Sequence, residues 1–289
     1  MIPAEPSHTA HRVALRRAAH QLLDQPPVLR DPLAIPILGA ATAEALRENP
    51  AQFETSRVSP YLRAFMAARA RFTEDQLAHL RSTGIRQYVI LGAGLDTFAY
   101  RDPSPELPLR VWEVDYPSTQ AWKRECLAEA NIAVPPHVTF AAVDFERQAL
   151  PDALAAAGFD ADAGALFAWL GVTQYLSHEA IRTTLAYVAR ATQAGGGVVF
   201  DYSIAPHLLS PAQRAVRVML EAVVSAAGEP WQSTFEPDAL VAELRELGFA
   251  VAQDVAPDEI NGRYLAARTD GLKVGGMSHL MWAGATPHV

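Results

Sequence analysis

The stretch Gln87-Tyr-Val-Ile-Leu-Gly-Ala-Gly-Leu-Asp-Thr-Phe-Ala-Tyr-Arg101 decides how the rest of this chain is read. Its opening run, Gln87–Leu91, is apolar and β-branched, too short for a typical helix, and stops at a glycine pair. Gly92 and Gly94 allow a tight turn whose backbone can approach a ligand, and free N–H groups there suit a polar or anionic group. A dinucleotide fingerprint would need a third glycine at position 97, which is Thr97. The glycine pair by itself fits either a small-molecule site or an ordinary tight turn between a strand and a helix.

Working outward, four more short runs resemble the first: Arg110-Val-Trp-Glu-Val114, Val138-Thr-Phe-Ala-Ala-Val143, Ala165-Leu-Phe-Ala-Trp169 and Gly197-Val-Val-Phe-Asp201. Helical patterns separate them at residues 118–130, 148–157 and 177–192, with Ser118 and Ser177 as expected N-caps. Short apolar runs alternating with helices predict a parallel sheet covered on both faces. Before this unit, residues 8–84 read as mostly helical with proline breaks, including one long helix over 61–81. After it come helices over 210–227 and 237–247. Two strand-like runs, 249–255 and 263–268, then frame a turn at Asn261-Gly262.

Composition narrows the function. The chain has 289 residues, 50% hydrophobic and 19% charged, so a folded chain is expected rather than a disordered one. Its 24 basic and 32 acidic residues give a net charge of −8, and the arginines are scattered. Nucleic acid and anionic membrane are therefore poor partners, since both need a concentrated basic footprint. Cys126 is the sole cysteine, which fits a reducing, cytoplasmic setting. No apolar stretch approaches the roughly 20 residues that span a bilayer. The nine histidines are dispersed and no metal-binding spacing occurs, so no metal is expected.

Ligands of open α/β sheets bind beyond the carboxyl ends of the strands. Three such ends carry acids: Asp96 after the glycine turn, Asp115, which follows Gly94 by 21 residues, and Asp144 before Phe145. A carboxylate at the end of the second strand can accept both hydroxyls of a ribose and repels a 2′-phosphate. Asp144 offers an acceptor to an adenine amino group, and Phe145 a wall beside the ring.

These segments together are specific. The opening stretch, Glu113-Val-Asp-Tyr-Pro117, Val143-Asp-Phe145, Gly171-Val-Thr-Gln-Tyr-Leu176, Gly228-Glu-Pro-Trp231, Leu247-Gly-Phe249 and Arg263-Tyr-Leu-Ala-Ala-Arg-Thr-Asp-Gly-Leu272 resemble the leucine carboxyl methyltransferase family, including its bacterial polyketide carboxyl O-methyltransferases. The resemblance implies an α/β, Rossmann-like class I methyltransferase fold with a seven-stranded sheet of order 3-2-1-4-5-7-6. It also implies S-adenosyl-L-methionine as cofactor, which carries no phosphate and accords with the absent third glycine. By this resemblance Gly92, Ala93 and Gly94 line its methionine part beside Asp96. Asp115 takes the ribose, Asp144 and Phe145 the adenine, and Arg69, with Arg71 as its rival, the carboxylate. Family members carry a glutamate for the cofactor's amino group where this chain has Leu170.

The expected activity is O-methylation of a small secondary metabolite at a carboxylate or hydroxyl. The alternative suggested by Leu170 is a methyltransferase-like protein of weak or no activity that acts through partner binding. A carboxylate is ionised at neutral pH and needs no base, whereas an alcohol needs activation. Tyr175, Tyr202 and His207, near strand ends, are candidate acceptor contacts, and Trp231 and Met219 suggest a hydrophobic or aromatic acceptor. Residues 1–289 are expected to form a single methyltransferase domain. Its parts are an N-terminal helical cap (1–84), a cofactor-binding core (85–203), a helical lid insertion (204–248) and a terminal antiparallel hairpin (249–289).

Overall fold

The computed structural model describes residues 7–54, 56–101, 108–145, 147–286 and 288; Met1–Pro6 of the expected cap lie outside them. Helices α1 (His8–Leu23), α2 (Ala40–Glu48) and α3 (Ser59–Ser82) precede the first strand, β1 (Gln87–Leu91). There follow β2 (Arg110–Asp115), α4 (Pro117–Glu129), β3 (Val138–Ala142), α5 (Leu150–Ala156), β4 (Ala165–Trp169), α6 (His178–Ala191) and β5 (Gly196–Ser203). The chain continues through α7 (Pro211–Ala226), α8 (Pro237–Glu246), β6 (Val251–Val255), α9 (Pro257–Tyr264) and β7 (Ser278–Gly284). The strands form one sheet of order β3-β2-β1-β4-β5-β7-β6, parallel except for β7, which runs antiparallel to β5 and β6. That is the class I methyltransferase order. β1 pairs on one side with β2 (Val89 opposite Trp112) and on the other with β4 (Val89 opposite Phe167). Strand order reverses between β1 and β4, where such sheets open a crevice.

Every residue of β1, β4 and β5 is buried, because side chains alternate between two covered faces. Val89, Leu91, Trp112, Phe167, Trp169, Val198 and Phe200 pack on one face against α6 and α8 through Ile181, Leu185, Leu240 and Leu244. Tyr88, Ile90, Val111, Leu166, Ala168 and Val199 pack on the other against α3 and Ile260 of α9. A third cluster, with Ala14, Leu15 and Ala18 of α1 and Leu46 of α2, joins the N-terminal helices to Cys126 and Leu127 of α4.

The structure revises two local expectations. Ser118 does not cap α4: Tyr116 occupies that position, Pro117 starts the helix, and proline suits a first turn that has no N–H bond to lose. Ser177 does cap α6, accepting from the Ala180 N–H. The larger revision is terminal. Asn261-Gly262 is no hairpin turn but lies inside α9, which Pro257 opens and Asp258 and Glu259 favour electrostatically at its first turn. Residues 263–268 hold no strand, and the last strand is Ser278–Gly284. That segment has no β-branched residue and a weak intrinsic preference. Ladders to β5 and β6 on both sides impose its conformation.

A buried ion pair fastens α4 to β2. Lys123 Nζ lies 2.6 Å from Glu113 Oε2, both residues are 1% exposed, and Tyr100 donates its hydroxyl to the same oxygen at 3.0 Å. Burial pushes the Glu113 carboxyl up, and the Lys123 charge opposes it. Removing one partner leaves the other charge buried alone, so Lys123→Ala should cost about 3–5 kcal/mol in urea unfolding. The apolar double variant Lys123→Met with Glu113→Leu should regain most of that. A single variant with unchanged stability would show that the pair fastens nothing.

Candidate functional site

The turn after β1 is tied to the end of β2 by the backbone. Gly92 and Ala93 both donate their N–H groups to Val114 O, at 2.7 and 3.1 Å. Gly94 N–H donates to Asp115 Oδ2 at 2.6 Å, and Tyr116 N–H to Asp115 Oδ1 at 2.7 Å. Asp115 is thereby fixed with one N–H on each oxygen, which leaves lone pairs on both for a further donor. Burial pushes its carboxyl up, and the two N–H groups pull it down. Gly92 has φ +68°, and a Cβ there would come within 2.3 Å of a Val172 methyl, so only glycine fits.

Beside this turn lies a largely apolar cavity of about 440 Å³. Arg69, Gly92, Ala93, Gly94, Asp96, Asp115, Asp144, Phe145, Leu170 and Tyr175 all line it. The structure thus brings together the whole set of residues singled out for a cofactor, from β1, β2, β4, α3 and the segment after β3. Phe145 stands between the cavity and Trp169, ring centres 6.3 Å apart. Arg69 donates from Nη1 to Asp201 Oδ2 at 2.7 Å, and Asp201 Oδ1 accepts the Gly171 N–H at 2.5 Å. Arg71 points elsewhere and pairs with Asp75 on the surface, as two positions separated by two residues on a helix must diverge.

Three expected acceptor contacts behave differently from one another. Tyr175 reaches the cavity and donates its hydroxyl to Thr9 Oγ1 at 3.3 Å. Tyr202 does not: it lies on the Phe200 side of β5, away from Asp201, and its hydroxyl donates to Asp254 Oδ1 at 2.6 Å, an oxygen that His279 also contacts. His207 lies in an exposed turn beyond β5, 3.2 Å from Glu236. Nor do Trp231 and Met219 line the cavity. Trp231 packs beneath the Arg217 guanidinium and Met219 faces outward. It is the loop after α7, with Gly228, Glu229, Pro230 and Gln232, rather than α7 itself, that forms this wall.

Sequence reasoning missed several lining groups. Arg17 of α1, 7% exposed, bonds Asp96 Oδ2 at 2.6 Å and Asp31 Oδ2 at 2.8 Å. Burial acts to raise the Asp96 carboxyl, but the Arg17, Lys123 and Arg101 charges outweigh it and hold it at about 2. Glu229 accepts the Thr9 N–H at 3.0 Å and the Thr9 hydroxyl, joining the start of α1 to the loop after α7 across the cavity. Long separation in sequence hides both contacts. The only available signal for Glu229 is its place within Gly228-Glu-Pro-Trp231.

The polar groups fit a phosphate-free nucleoside. Asp96, Asp115 and Asp144 together would repel a pyrophosphate and favour a cationic sulfonium, while Arg69 keeps N–H groups beyond its single bond to Asp201 for a carboxylate. Leu170 offers no acceptor where the resemblance implies a glutamate.

Comparison with known proteins agrees with this geometry. The leucine carboxyl methyltransferase family model matches residues 10–189. The candidate S-adenosyl-L-methionine-dependent methyltransferase YktD of Bacillus subtilis (strain 168) is 31% identical over 290 residues, covering 93% of this chain and 94% of YktD. A candidate methyltransferase of the same cofactor class from Streptomyces coelicolor, SCO7813, is 32% identical over 58% of this chain and 59% of its own. Among solved structures, a DUF574 family protein from Streptomyces avermitilis superposes with a TM-score of 0.54, at 17% identity, over 98% of this chain and all of that one. A candidate methyltransferase from Thermobifida fusca gives 0.53 at 16% identity over 98% and 96%. The structural likenesses speak for the fold, and the family match together with the full-length relative shows that this chain belongs to the leucine carboxyl methyltransferase family.

Proposed function

We propose that this S-adenosyl-L-methionine-dependent methyltransferase methylates a carboxylate, or failing that a hydroxyl, of a small, largely apolar molecule such as a secondary metabolite. The observation that carries the reading is Asp115, locked by two backbone N–H groups at the rim of an apolar cavity. A carboxylate fixed in this way can receive a ribose diol without first being ordered, so little entropy is lost on binding. In the same reading Asp144 and Phe145 hold the adenine, the Gly92–Gly94 turn lies along the methionine part, and Arg69, oriented by Asp201, meets the cofactor carboxylate.

Bound S-adenosyl-L-methionine supplies both the methyl group and a neutral thioether as leaving group. What remains for the protein is alignment and exclusion of water. Among the described residues, the cavity lining contains no histidine, lysine or cysteine. Glu229 is the carboxylate placed to act as a base, but its Oε2 already receives two donors from Thr9. An acceptor that arrives ionised suits such a wall better than an alcohol, which supports the carboxylate.

Three outcomes follow. Asp115→Ala should weaken S-adenosylhomocysteine at least about a hundredfold in calorimetry, since two charge-assisted bonds are lost; unchanged affinity would contradict the ribose assignment. Leu170→Glu should tighten the same ligand about tenfold by restoring an acceptor for the amino group; no change would show that this group lies elsewhere. In assays with methyl-labelled cofactor and a panel of hydrophobic acids and alcohols, the product should be an ester that releases labelled methanol in base. A base-stable ether would establish the hydroxyl alternative.

A further inference from the structure

Several arginines around the N-terminal helices are neutralised by a carboxylate. Arg17 pairs with Asp31 and Asp96, Arg63 with Asp24 and Glu54, Arg69 with Asp201, and Arg101 with Glu74 and Asp31. Arg16 is different. It is half-buried in the middle of α1 and, among the described residues, makes no hydrogen bond or ion pair. Thr9, Val13 and Arg16 share one stripe of the helix at intervals of four and three residues, and the first two line the cavity. The groups whose charges bear on Arg16 are Arg12, Glu54, Tyr175 and Arg69; Tyr175 and Arg69 are themselves cavity wall, while Glu54 is taken by Arg63. Burial first, then the Arg12 charge, pushes the Arg16 guanidinium down, yet an arginine stays cationic at any ordinary pH.

A guanidinium withdrawn from water without an anion is costly unless a ligand supplies one. Its planar donor fork matches a carboxylate in two-point contact. We infer that Arg16 is a specificity-determining residue that anchors an anionic group of the methyl acceptor at the Thr9–Tyr175 side of the cavity. The inference rests on the methyltransferase reading of the site and adds to it a residue that selects among acceptors. The apolar wall beside it, with Ala10, Val13 and Met66, takes the body of the molecule.

The test uses the full chain saturated with S-adenosylhomocysteine, titrated with 4-phenylbutyrate and, separately, with the uncharged 4-phenylbutanamide. The carboxylate should bind the wild-type protein at least tenfold more tightly than the amide. Arg16→Gln should abolish that preference while leaving S-adenosylhomocysteine affinity within twofold, and Arg16→Lys should restore part of it. Equal binding of acid and amide to the wild type, or a preference that survives Arg16→Gln, would overturn the inference. So would a tenfold loss of S-adenosylhomocysteine in Arg16→Gln, which would give Arg16 to the cofactor instead. Failure of the wild-type protein to bind S-adenosylhomocysteine at all would be a different result, and it would count against the methyltransferase reading.

Discussion

The site depends on one short piece of backbone bonding, in which Val114 O receives two N–H groups from the glycine turn and Asp115 receives a third from Gly94. These bonds join the ends of two adjacent parallel strands, β1 and β2, beside the point where strand order reverses. They give the turn its shape and aim the Asp115 carboxylate in the same stroke. Everything else around the cavity is placed relative to them. Val172 closes over Gly92, Ala10 of α1 comes within 3.2 Å of where a Gly94 Cβ would stand, and Lys123 with Glu113 secures the strand that carries Asp115. A larger side chain at either glycine would move the turn and the carboxylate together.

Around this frame the protein buries several charged groups. Arg17, Asp31, Thr97, Arg101, Glu74 and Asp96 form one continuous network between α1, α3 and the glycine turn. Such networks hold geometry more than they add stability, because desolvation offsets most of the attraction. Asp96 shows the balance. With its carboxyl held at about 2 against burial, its contribution to stability is complete above the ordinary aspartate range near ~4 and is lost as pH falls through that interval toward the folded value. At neutral pH the network is intact, and the cap sits on the site through fixed ionic contacts. The Glu229–Thr9 bonds add a second tie from the loop after α7.

Much of this was legible in the sequence, for physical reasons. The runs at β1 and β4 are short, fully buried and bounded by glycine or a polar turn, so their limits coincide with the expected ones. The acids at strand ends could be placed at the site because a parallel sheet puts those ends on one edge. Two things were not legible, and a third was misread. β7 lacks local preference and exists through its two neighbours. The Arg17–Asp96 pair spans 79 residues, and no pattern along the chain reports it. Tyr202 was misjudged by proximity alone; the period-two alternation of β5 sends Tyr202 to the side of Phe200 and leaves Asp201, not the tyrosine, to hold Arg69. Strand alternation was the signal available, and it points to Asp201.

The central claim is that the Asp115 end of the cavity is a nucleoside site and the Arg69 end receives the amino-acid part. Crystals grown with S-adenosylhomocysteine test it most directly. The account predicts density for the ribose against both oxygens of Asp115, the adenine beside Phe145 and Asp144, and the carboxylate against Arg69. Density with the nucleoside in any other orientation, or outside this cavity, would contradict it.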